Sequence, residues 1–193
     1  MHDVICVDEG CRSDLRFWSY LCDNWNGVSF FYDDRFATSV SMHLFTDAAP
    51  SLGFGGVFGG EWFADKWPVE LRDLPSDVQS IALMELYPIV MACLIWGRNW
   101  TGRKIMFCCD NEATVAIINK GRSSIPFINR LVRRITWTSI QCSFIFSAAH
   151  IPGLDNRLAD HLSRFNFHAF QELCPGACPR PRTCLPFSKA VLD

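Results

Sequence analysis

Two aspartates in this sequence stand directly after short apolar runs. Asp47 follows Leu-Phe-Thr and Asp110 follows Ile-Met-Phe-Cys-Cys, and both runs are typical of buried strands. Sites in open α/β sheets form beyond the carboxyl ends of the strands, so neighbouring strands would bring these two acids together. Either acid considered alone is explained more simply as a turn or helix-cap residue.

Glu85 lies in an apolar segment of helical character, Ile-Ala-Leu-Met-Glu-Leu-Tyr-Pro-Ile-Val-Met-Ala. A glutamate that faces solvent is the usual explanation, but apolar neighbours surround this one on nearly every side. An ionised carboxylate that is buried without a partner is very costly, so an enclosed Glu85 needs a cation nearby. No lysine or arginine occurs within ten residues on either side, and a metal ion would supply the missing charge.

Asp160 is the fourth acidic candidate, in the helical segment Asn156–Arg164. Considered alone, it is explained as a solvated helix residue. Together with Asp47, Glu85 and Asp110 it would form a site with oxygen ligands only, which selects Mg²⁺ or Mn²⁺ over zinc. Like charges at short range raise each other's pKa, so such a cluster stays ionised only with divalent ions.

The elements that must position these acids follow from apolar periodicity and from Gly and Pro breaks. The predicted strands are 43–47, 57–64 (bent at Gly59-Gly60), 103–110 and 142–149, and the predicted helices are 12–25, 76–96, 112–119, 125–140 and 154–164. Gly53, Gly55 and Gly56 predict a turn between the first strands, and Pro88 predicts a kink. This order favours a mixed sheet with helices on its faces.

Composition limits the class of protein. The length of 193 residues suits one domain, and 49% hydrophobic with 20% charged residues is the balance of a folded, soluble chain. The net charge of −2 excludes a wholly basic nucleic-acid wrapper, but residues 1–85 carry −9 and residues 86–193 carry +7. A polyanion would therefore dock on the basic half only if cations screened the nearest acids. No membrane segment is predicted, because the apolar stretch 81–96 is too short.

The ten cysteines, without a secretion signal, favour reduced thiols in an intracellular protein, cytoplasmic or nuclear. Those in apolar runs are predicted to fill the core: Cys93, Cys108, Cys109 and Cys142. Three more have C-x3-C-x5-C spacing in a Pro-rich tail: Cys174, Cys178 and Cys184. They would bind zinc only with a fourth ligand such as His168, and a loosely packed tail is the simpler interpretation.

Four motifs together carry a family resemblance: Phe-Thr-Asp-Ala at 45–48, Leu-Met-Glu-Leu at 83–86, Cys-Asp-Asn at 109–111, and His-Ile-Pro-Gly-Leu-Asp-Asn-Arg-Leu-Ala-Asp at 150–160. The segment 43–164 resembles the ribonuclease H domain of reverse transcriptases from DIRS/Ngaro-type retrotransposons. The resemblance implies an α/β fold with a mixed five-stranded sheet flanked by helices. It divides the chain into a helical lead-in similar to a polymerase connection (1–42), a catalytic domain (43–165) and a Pro/Cys-containing tail (166–193).

The resemblance also implies roles for the acids in hydrolysing the RNA strand of an RNA–DNA hybrid, to leave 5′-phosphate and 3′-hydroxyl ends. Asp47 would bridge two Mg²⁺ ions, for which Mn²⁺ could substitute, and Asp160 would help hold the ion that activates the attacking water. Glu85 and Asp110 would hold the ion beside the leaving 3′-oxygen. His150, on a flexible loop before Pro152, would assist product release or proton transfer.

Hybrid binding requires contacts to phosphates and to 2′-hydroxyls. The candidates are Asn111, Arg122, Ser123, Arg130, Arg133 and Arg134, although a charged helix face is usually only solvated. The basic helix that some family members carry has no counterpart here, and Asp-Ala-Ala-Pro at 47–50 stands where many relatives have Asp-Gly-Ser. Core packing is favoured over base stacking for Trp62, Trp67, Trp96 and Trp100.

The predicted nuclease could work beside a polymerase domain. Two other functions remain as alternatives to a nuclease. The first is a catalytically silent module of the same fold with a structural or interaction role. The second is an integrase-like strand transferase, which needs three acids in another order and lacks the spacing between His150 and Asp160. The presence of all four acids favours the nuclease.

Overall fold

The computed structural model describes residues 7–25, 27, 36–38, 44–76 and 78–192, with the backbone alone for 36–38. The strands are β1 (Phe36–Thr38), β2 (Phe45–Ala49), β3 (Gly53–Phe58), β4 (Glu61–Lys66), β5 (Lys104–Cys109) and β6 (Ile145–His150). The helices are α1 (Glu9–Asn24), α2 (Val69–Arg72), α3 (Ile81–Trp96), α4 (Glu112–Lys120), α5 (Pro126–Cys142), α6 (Arg157–Ser163), α7 (Phe167–Leu173) and α8 (Phe187–Ala190). Short 3-10 helices span Gly97–Trp100 and Gly153–Asp155.

The central helix of the core is α3. It begins at Ile81 because the Ser80 hydroxyl accepts a hydrogen bond from the backbone N–H of Leu83 and caps the first turn. The predicted start at residue 76 is therefore too early. The helix is apolar on almost every side, and it packs against β2, β3, α4 and α5. Its burial on all sides places Glu85 inside the molecule.

One helical stretch in the described part of the chain, Ile81–Trp100, is long and apolar enough to cross a membrane. However, 78% of its apolar window is buried inside the protein, as in the core helix of a globular fold. The four tryptophans predicted to pack in the core are buried there: Trp62, Trp67, Trp96 and Trp100.

The strands form two three-stranded sheets. In the first, β3 pairs antiparallel with β2 and β4; in the second, β5 pairs parallel with β1 and β6. The single five-stranded sheet that the resemblance implied would need β2 hydrogen-bonded to β5. Over Lys104–Met106 that edge of β5 is taken by β1 instead. The two sheets nevertheless meet, because β2 contacts β5.

The glycines predicted to form a turn lie within strand β3. Gly55 pairs with Asp47, and a Cβ atom at Gly55 would lie 2.6 Å from the Cβ atom of Leu162 in α6. The prediction was wrong because Gly53, Gly55 and Gly56 lie within a paired strand, where Gly55 permits a close approach to α6. Close packing of α6 on β3 is what brings the last helix next to Asp47.

The lead-in helix α1 packs against α5. Phe17 and Leu21 form a small apolar cluster with Trp137, and the Asp14 carboxylate pairs with the guanidinium of Arg133 at 2.7 Å. The helical prediction for this segment is confirmed. The predicted domain boundaries, after residues 42 and 165, stay predictions.

The segment between α7 and α8 lies along the edge of β4. The backbone N–H of Cys178 donates to the carbonyl of Gly60, that of Arg182 donates to the carbonyl of Trp62, and the indole N–H of Trp62 donates to the carbonyl of Cys178, each at 2.7 Å. The expectation of a loosely packed tail is therefore wrong.

The final helix continues this packing, since the Phe187 ring stacks beside Tyr87 and Phe127. Among the described residues, no cluster of metal-ligating side chains includes the three cysteines of the predicted zinc site, Cys174, Cys178 and Cys184. The segment is held by backbone hydrogen bonds and aromatic contacts, which need no metal.

Candidate active site

Four elements bring the four predicted acids to one place. Asp47 is the middle residue of β2, Glu85 lies in α3, Asp110 directly follows β5, and Asp160 lies in α6. Asp47 interacts electrostatically with Asp110 and Asp160, and Glu85 interacts with Asp47 and Asp110. Asp47 does not end its strand as predicted, because β2 continues its pairing with β3 as far as Ala49. The acids therefore converge where the two sheets meet.

Glu85 is the most deeply placed of the four acids, with 7% of its surface exposed. Burial in the apolar surroundings of α3, together with the smaller effect of the charges of Asp47 and Asp110, raises its pKa to about 9. Within the described part of the chain, neither a hydrogen-bond donor nor a cationic side chain contacts its carboxylate. The ionised form of Glu85 therefore has no compensating charge among the described side chains, and the raised pKa favours the protonated form.

Asp47 is also buried, but it is held by hydrogen bonds. The Ser163 hydroxyl donates to Asp47 Oδ2 at 2.6 Å, and Asn156 Nδ2 lies 3.4 Å from Oδ1. Burial raises the pKa of Asp47, and the charges of Asp160 and Asp110 add to this, whereas the hydrogen bond from Ser163 lowers it. Both partners come from α6 and its N-cap, so this helix orients the carboxylate.

Asn156 fastens the start of α6 to β2. Its side-chain N–H donates to the Thr46 carbonyl at 2.8 Å, while its Oδ1 atom is buried without a hydrogen-bond partner. An unsatisfied acceptor in the interior costs on the order of 1–3 kcal/mol. Asn156 thus adds a second uncompensated oxygen beside the acids.

A tighter group lies within this site. One ligand atom from each of Glu85, Cys109 and Asp110 lies within 4.8 Å of the others. Burial raises the pKa of the Cys109 thiol to about 12, with the surrounding acids acting in the same direction. Gly153 approaches so closely that a Cβ atom there would lie 3.1 Å from Asp110 Oδ2. The loop before α6 therefore closes over Asp110.

These residues fit a divalent cation. Carboxylate oxygens are the ligands that Mg²⁺ and Mn²⁺ prefer, and Glu85 has no competing cation in the described structure. Burial is the main cause of the raised pKa of Asp47 and Glu85, and repulsion among the acids adds to it; a cation beside these carboxylates would offset both effects. The resident cofactor that the sequence predicted is therefore compatible with this donor set.

Asp160 and His150 lie on the accessible side of the site. The Asp160 side chain is 38% exposed, and it accepts a hydrogen bond from Arg164 Nε at 2.6 Å. His150 Nε2 lies 3.2 Å from the backbone carbonyl of Asp110, and a carbonyl only accepts, so this bond requires the proton on Nε2. His150 is the last residue of β6, not part of a loop as predicted, because its strand pairs with β5 up to Cys109.

The predicted hybrid-binding residues are not all equally available. Arg133 pairs with Asp14, and Arg134 donates to the Val191 carbonyl at 3.0 Å, so both hold other elements against α5. The Arg130 guanidinium lies 5.5 Å from the ring centre of Phe127.

The other candidates lie around the ends of α4. Asn111 caps this helix by accepting hydrogen bonds from Thr114, and Ser123 Oγ accepts from the N–H of Ile125. Arg122 is exposed and lines an open groove of about 570 Å³ with Lys120. Contacts to a hybrid stay a prediction for all six residues, and Arg122 is the most accessible.

Three residues of the site were missed as functional residues in the sequence. Ser163 lies three positions after Asp160 and Asn156 four before it, so helical spacing alone places all three near one face. Cys109 was assigned to the core because it lies in an apolar run, and in the structure it shares the buried face of β5 with Phe107. The signal for Cys109 was its position directly before Asp110.

No family model matches the chain, and no curated protein matches it. Among solved structures, it is similar to the crystal structure of RNase H1 from the halophilic archaeon Halobacterium salinarum NRC-1, with 13% sequence identity and a TM-score of 0.46. The match covers 64% of this chain and 95% of that one. The retrotransposon origin implied by the motifs stays a prediction.

Proposed function

We propose that this chain is a divalent-metal-dependent endoribonuclease that hydrolyses the RNA strand of RNA–DNA hybrids, with Mg²⁺ or Mn²⁺ as cofactor. The observation that carries the proposal is Glu85, which is buried beside Asp47 and Asp110 without a positive partner in the described structure. A purely structural module gains nothing from such a group, because an unpaired buried carboxylate lowers stability. A bound divalent cation would compensate it, and the proposed nuclease uses such a cation.

In this proposal each residue has a role that follows from its position and burial. Asp47, Glu85 and Asp110 would hold the cofactor, and Asp160, which is more exposed, would help to hold it on the solvent side. When bound, divalent cations supply a Lewis acid at the phosphate and lower the pKa of the attacking water. His150, whose Nε2 atom lies 3.2 Å from the Asp110 carbonyl, would pass a proton to or from solvent or assist product release.

The proposed reaction breaks one phosphodiester bond. The oxygen of water bonds to phosphorus, the bond from phosphorus to the 3′-oxygen breaks, and the products carry 5′-phosphate and 3′-hydroxyl ends.

Arg122 and Lys120 in the open groove offer cations for the hybrid's phosphates. We include an attached polymerase domain in the proposal because the family resemblance implies one; the exposed apolar side chains Leu15, Trp18 and Trp25 around the lead-in helix leave room for a partner of some kind.

The proposal is tested with a labelled RNA–DNA hybrid, Mg²⁺ or Mn²⁺, and the purified chain. We expect cleavage of the RNA strand, no cleavage of the DNA strand, and loss of at least about 10³-fold in rate in Asp47→Asn and Glu85→Gln. Asp155→Asn is the matched control, because Asp155 is an exposed acid in the 3-10 helix before α6.

Two outcomes would contradict the proposal. If the folded intact chain leaves the hybrid uncut, the catalytically silent module is the better interpretation. If Asp47→Asn cleaves as fast as the intact chain, the activity comes from a contaminant or from another site.

A further inference from the structure

The closest group of metal-ligating atoms in the described structure is not composed of oxygen alone. Glu85 and Asp110 offer carboxylate oxygens and Cys109 offers its sulfur, with all three atoms within 4.8 Å of one another. Glu85 independently points to a ligand, because its carboxylate is buried and has no donor or cationic partner among the described residues. Asp47, although nearby, is outside this group.

This donor set differs in chemistry from a magnesium site. Mg²⁺ and Mn²⁺ favour oxygen, whereas Zn²⁺ binds thiolate sulfur, carboxylate oxygen and water in four-coordinate sites. We propose that Glu85, Cys109 and Asp110 form a binding site for a thiophilic divalent cation, Zn²⁺, that overlaps the magnesium site. Zn²⁺ and Mg²⁺ would then both use the carboxylates of Glu85 and Asp110.

The position of Cys109 supports a ligand role. It is 2% exposed and lies at the end of β5, on the face of the strand that Phe107 also occupies, while its neighbour Cys108 lies on the opposite face. The Cys109 sulfur accepts one weak hydrogen bond, from the Asn111 N–H at 3.4 Å. On binding Zn²⁺ the thiol becomes a thiolate, its proton passes to the buffer, and no electron is transferred.

The functional consequence is competition, and this part of the inference rests on the proposed function. Zn²⁺ held by Glu85 and Asp110 occupies carboxylates that the hydrolytic cofactor needs. Zn²⁺ is therefore expected to inhibit hybrid cleavage at a fixed Mg²⁺ concentration. Removing the sulfur should weaken the binding of Zn²⁺ but not that of Mg²⁺, because Cys109 is not among the oxygen ligands for Mg²⁺.

The test uses the full reduced chain and Cd²⁺, a thiophilic probe whose bond to sulfur absorbs in the ultraviolet. We expect Cys109→Ser to lose the absorption of one Cd–thiolate bond per chain and to bind Zn²⁺ about tenfold more weakly, or worse, in calorimetry. Cys108→Ser is the matched control and keeps both properties. The exposed cysteines, Cys11, Cys22 and Cys178, contribute equally to the two variants.

A second measurement covers the case in which Cys109→Ser fails to fold. X-ray absorption of the wild-type chain with one equivalent of Zn²⁺ should show a single sulfur ligand at about 2.3 Å among oxygen ligands. Several sulfur ligands, or none, would overturn the inference. Equal Cd²⁺ absorption in a folded Cys109→Ser variant would do the same.

The two proposals can fail separately. A chain that binds Cd²⁺ through Cys109 but leaves the hybrid uncut refutes only the hydrolytic function. A chain that cleaves the hybrid while Cys109→Ser keeps its Zn²⁺ affinity refutes only the thiophilic site.

Discussion

At the scale of single residues, Glu85 links stability to pH. Its pKa in the folded chain is about 9, against an ordinary value of 4.5, so the folded state binds this proton more tightly than the unfolded state. The free energy of unfolding of the metal-free chain should therefore fall as pH rises from about 4.5 towards 9. The raised pKa of Asp47 acts in the same direction.

The variant Glu85→Gln tests this linkage, because an amide cannot ionise. We expect it to raise the free energy of unfolding in EDTA by on the order of 1–3 kcal/mol at about pH 8, and to change it little at about pH 4. Urea denaturation at both pH values measures the difference. Glu172→Gln, an exposed glutamate in α7, is the control, and a pH-independent effect of Glu85→Gln would refute the assignment.

Ser163 is a positioning residue for Asp47. Ser163→Ala removes the hydrogen bond of 2.6 Å that lowers the pKa of Asp47, so the carboxylate becomes harder to ionise and less well oriented. We expect Mg²⁺ or Mn²⁺ affinity to fall about 10–100-fold in calorimetry. Ser139→Ala is the matched control, since Ser139 is a buried serine that bonds only the backbone of its own helix. Equal affinities in both variants would show that the hydroxyl is merely structural.

At the scale of elements, the position of α6 depends on Gly55 in β3, because a glycine has no side chain to hold the helix away. Gly55→Ala would place a methyl group 2.6 Å from Leu162, so α6 must move away from the strand. We expect a loss of about 1–3 kcal/mol in the free energy of unfolding together with weaker metal binding, because Ser163 and Asp160 move with the helix. Gly176→Ala, which meets no atom within 4 Å, should leave both measurements unchanged.

The C-terminal segment covers the edge of β4, which would otherwise expose unpaired backbone groups. Arg182→Pro deletes the N–H that bonds the Trp62 carbonyl and also the ion pair with Glu61, whereas Arg182→Ala deletes the ion pair alone. We expect the free energy of unfolding to fall by about 1–2 kcal/mol in the proline variant and by less than about 1 kcal/mol in the alanine variant. Urea denaturation and light scattering would measure stability and association. Equal losses would assign the effect to the ion pair.

At the scale of the whole molecule, the candidate site lies between two sheets that share no strand pairing among the described residues. Asp47 belongs to the first sheet and Asp110 follows β5 of the second, so a cation bound by both would tie the sheets together. Mg²⁺ at about 100 times its Kd should add about 2.7 kcal/mol to the free energy of unfolding and raise Tm.

The control for that measurement is potassium at equal ionic strength, together with Asp47→Asn. Potassium should not reproduce the rise in Tm, and the variant should not show it. A rise of the same size in Asp47→Asn would place the stabilising cation elsewhere on the surface.

The sequence by itself located the main elements around the candidate site and named four acids as candidates. The apolar runs before Asp47 and Asp110 located two strands, and the apolar segment around Glu85 located the core helix, because side-chain periodicity is a local property of the chain. It also predicted that Glu85 would be enclosed, since helical neighbours on nearly every side were apolar. The helix from Glu112 was confirmed, with Gly121 in the left-handed conformation at its end.

Only the tertiary structure decided which elements touch. The close approach of α6 to Gly55, the pairing of β1 with β5, and the course of the C-terminal segment along β4 all join residues far apart in the chain. Such contacts are set by shape and by the satisfaction of backbone hydrogen bonds, which no short sequence pattern encodes. For the same reason the hydrogen bond from Ser163 to Asp47 and the approach of Cys109 to Glu85 emerged only when the fold was seen.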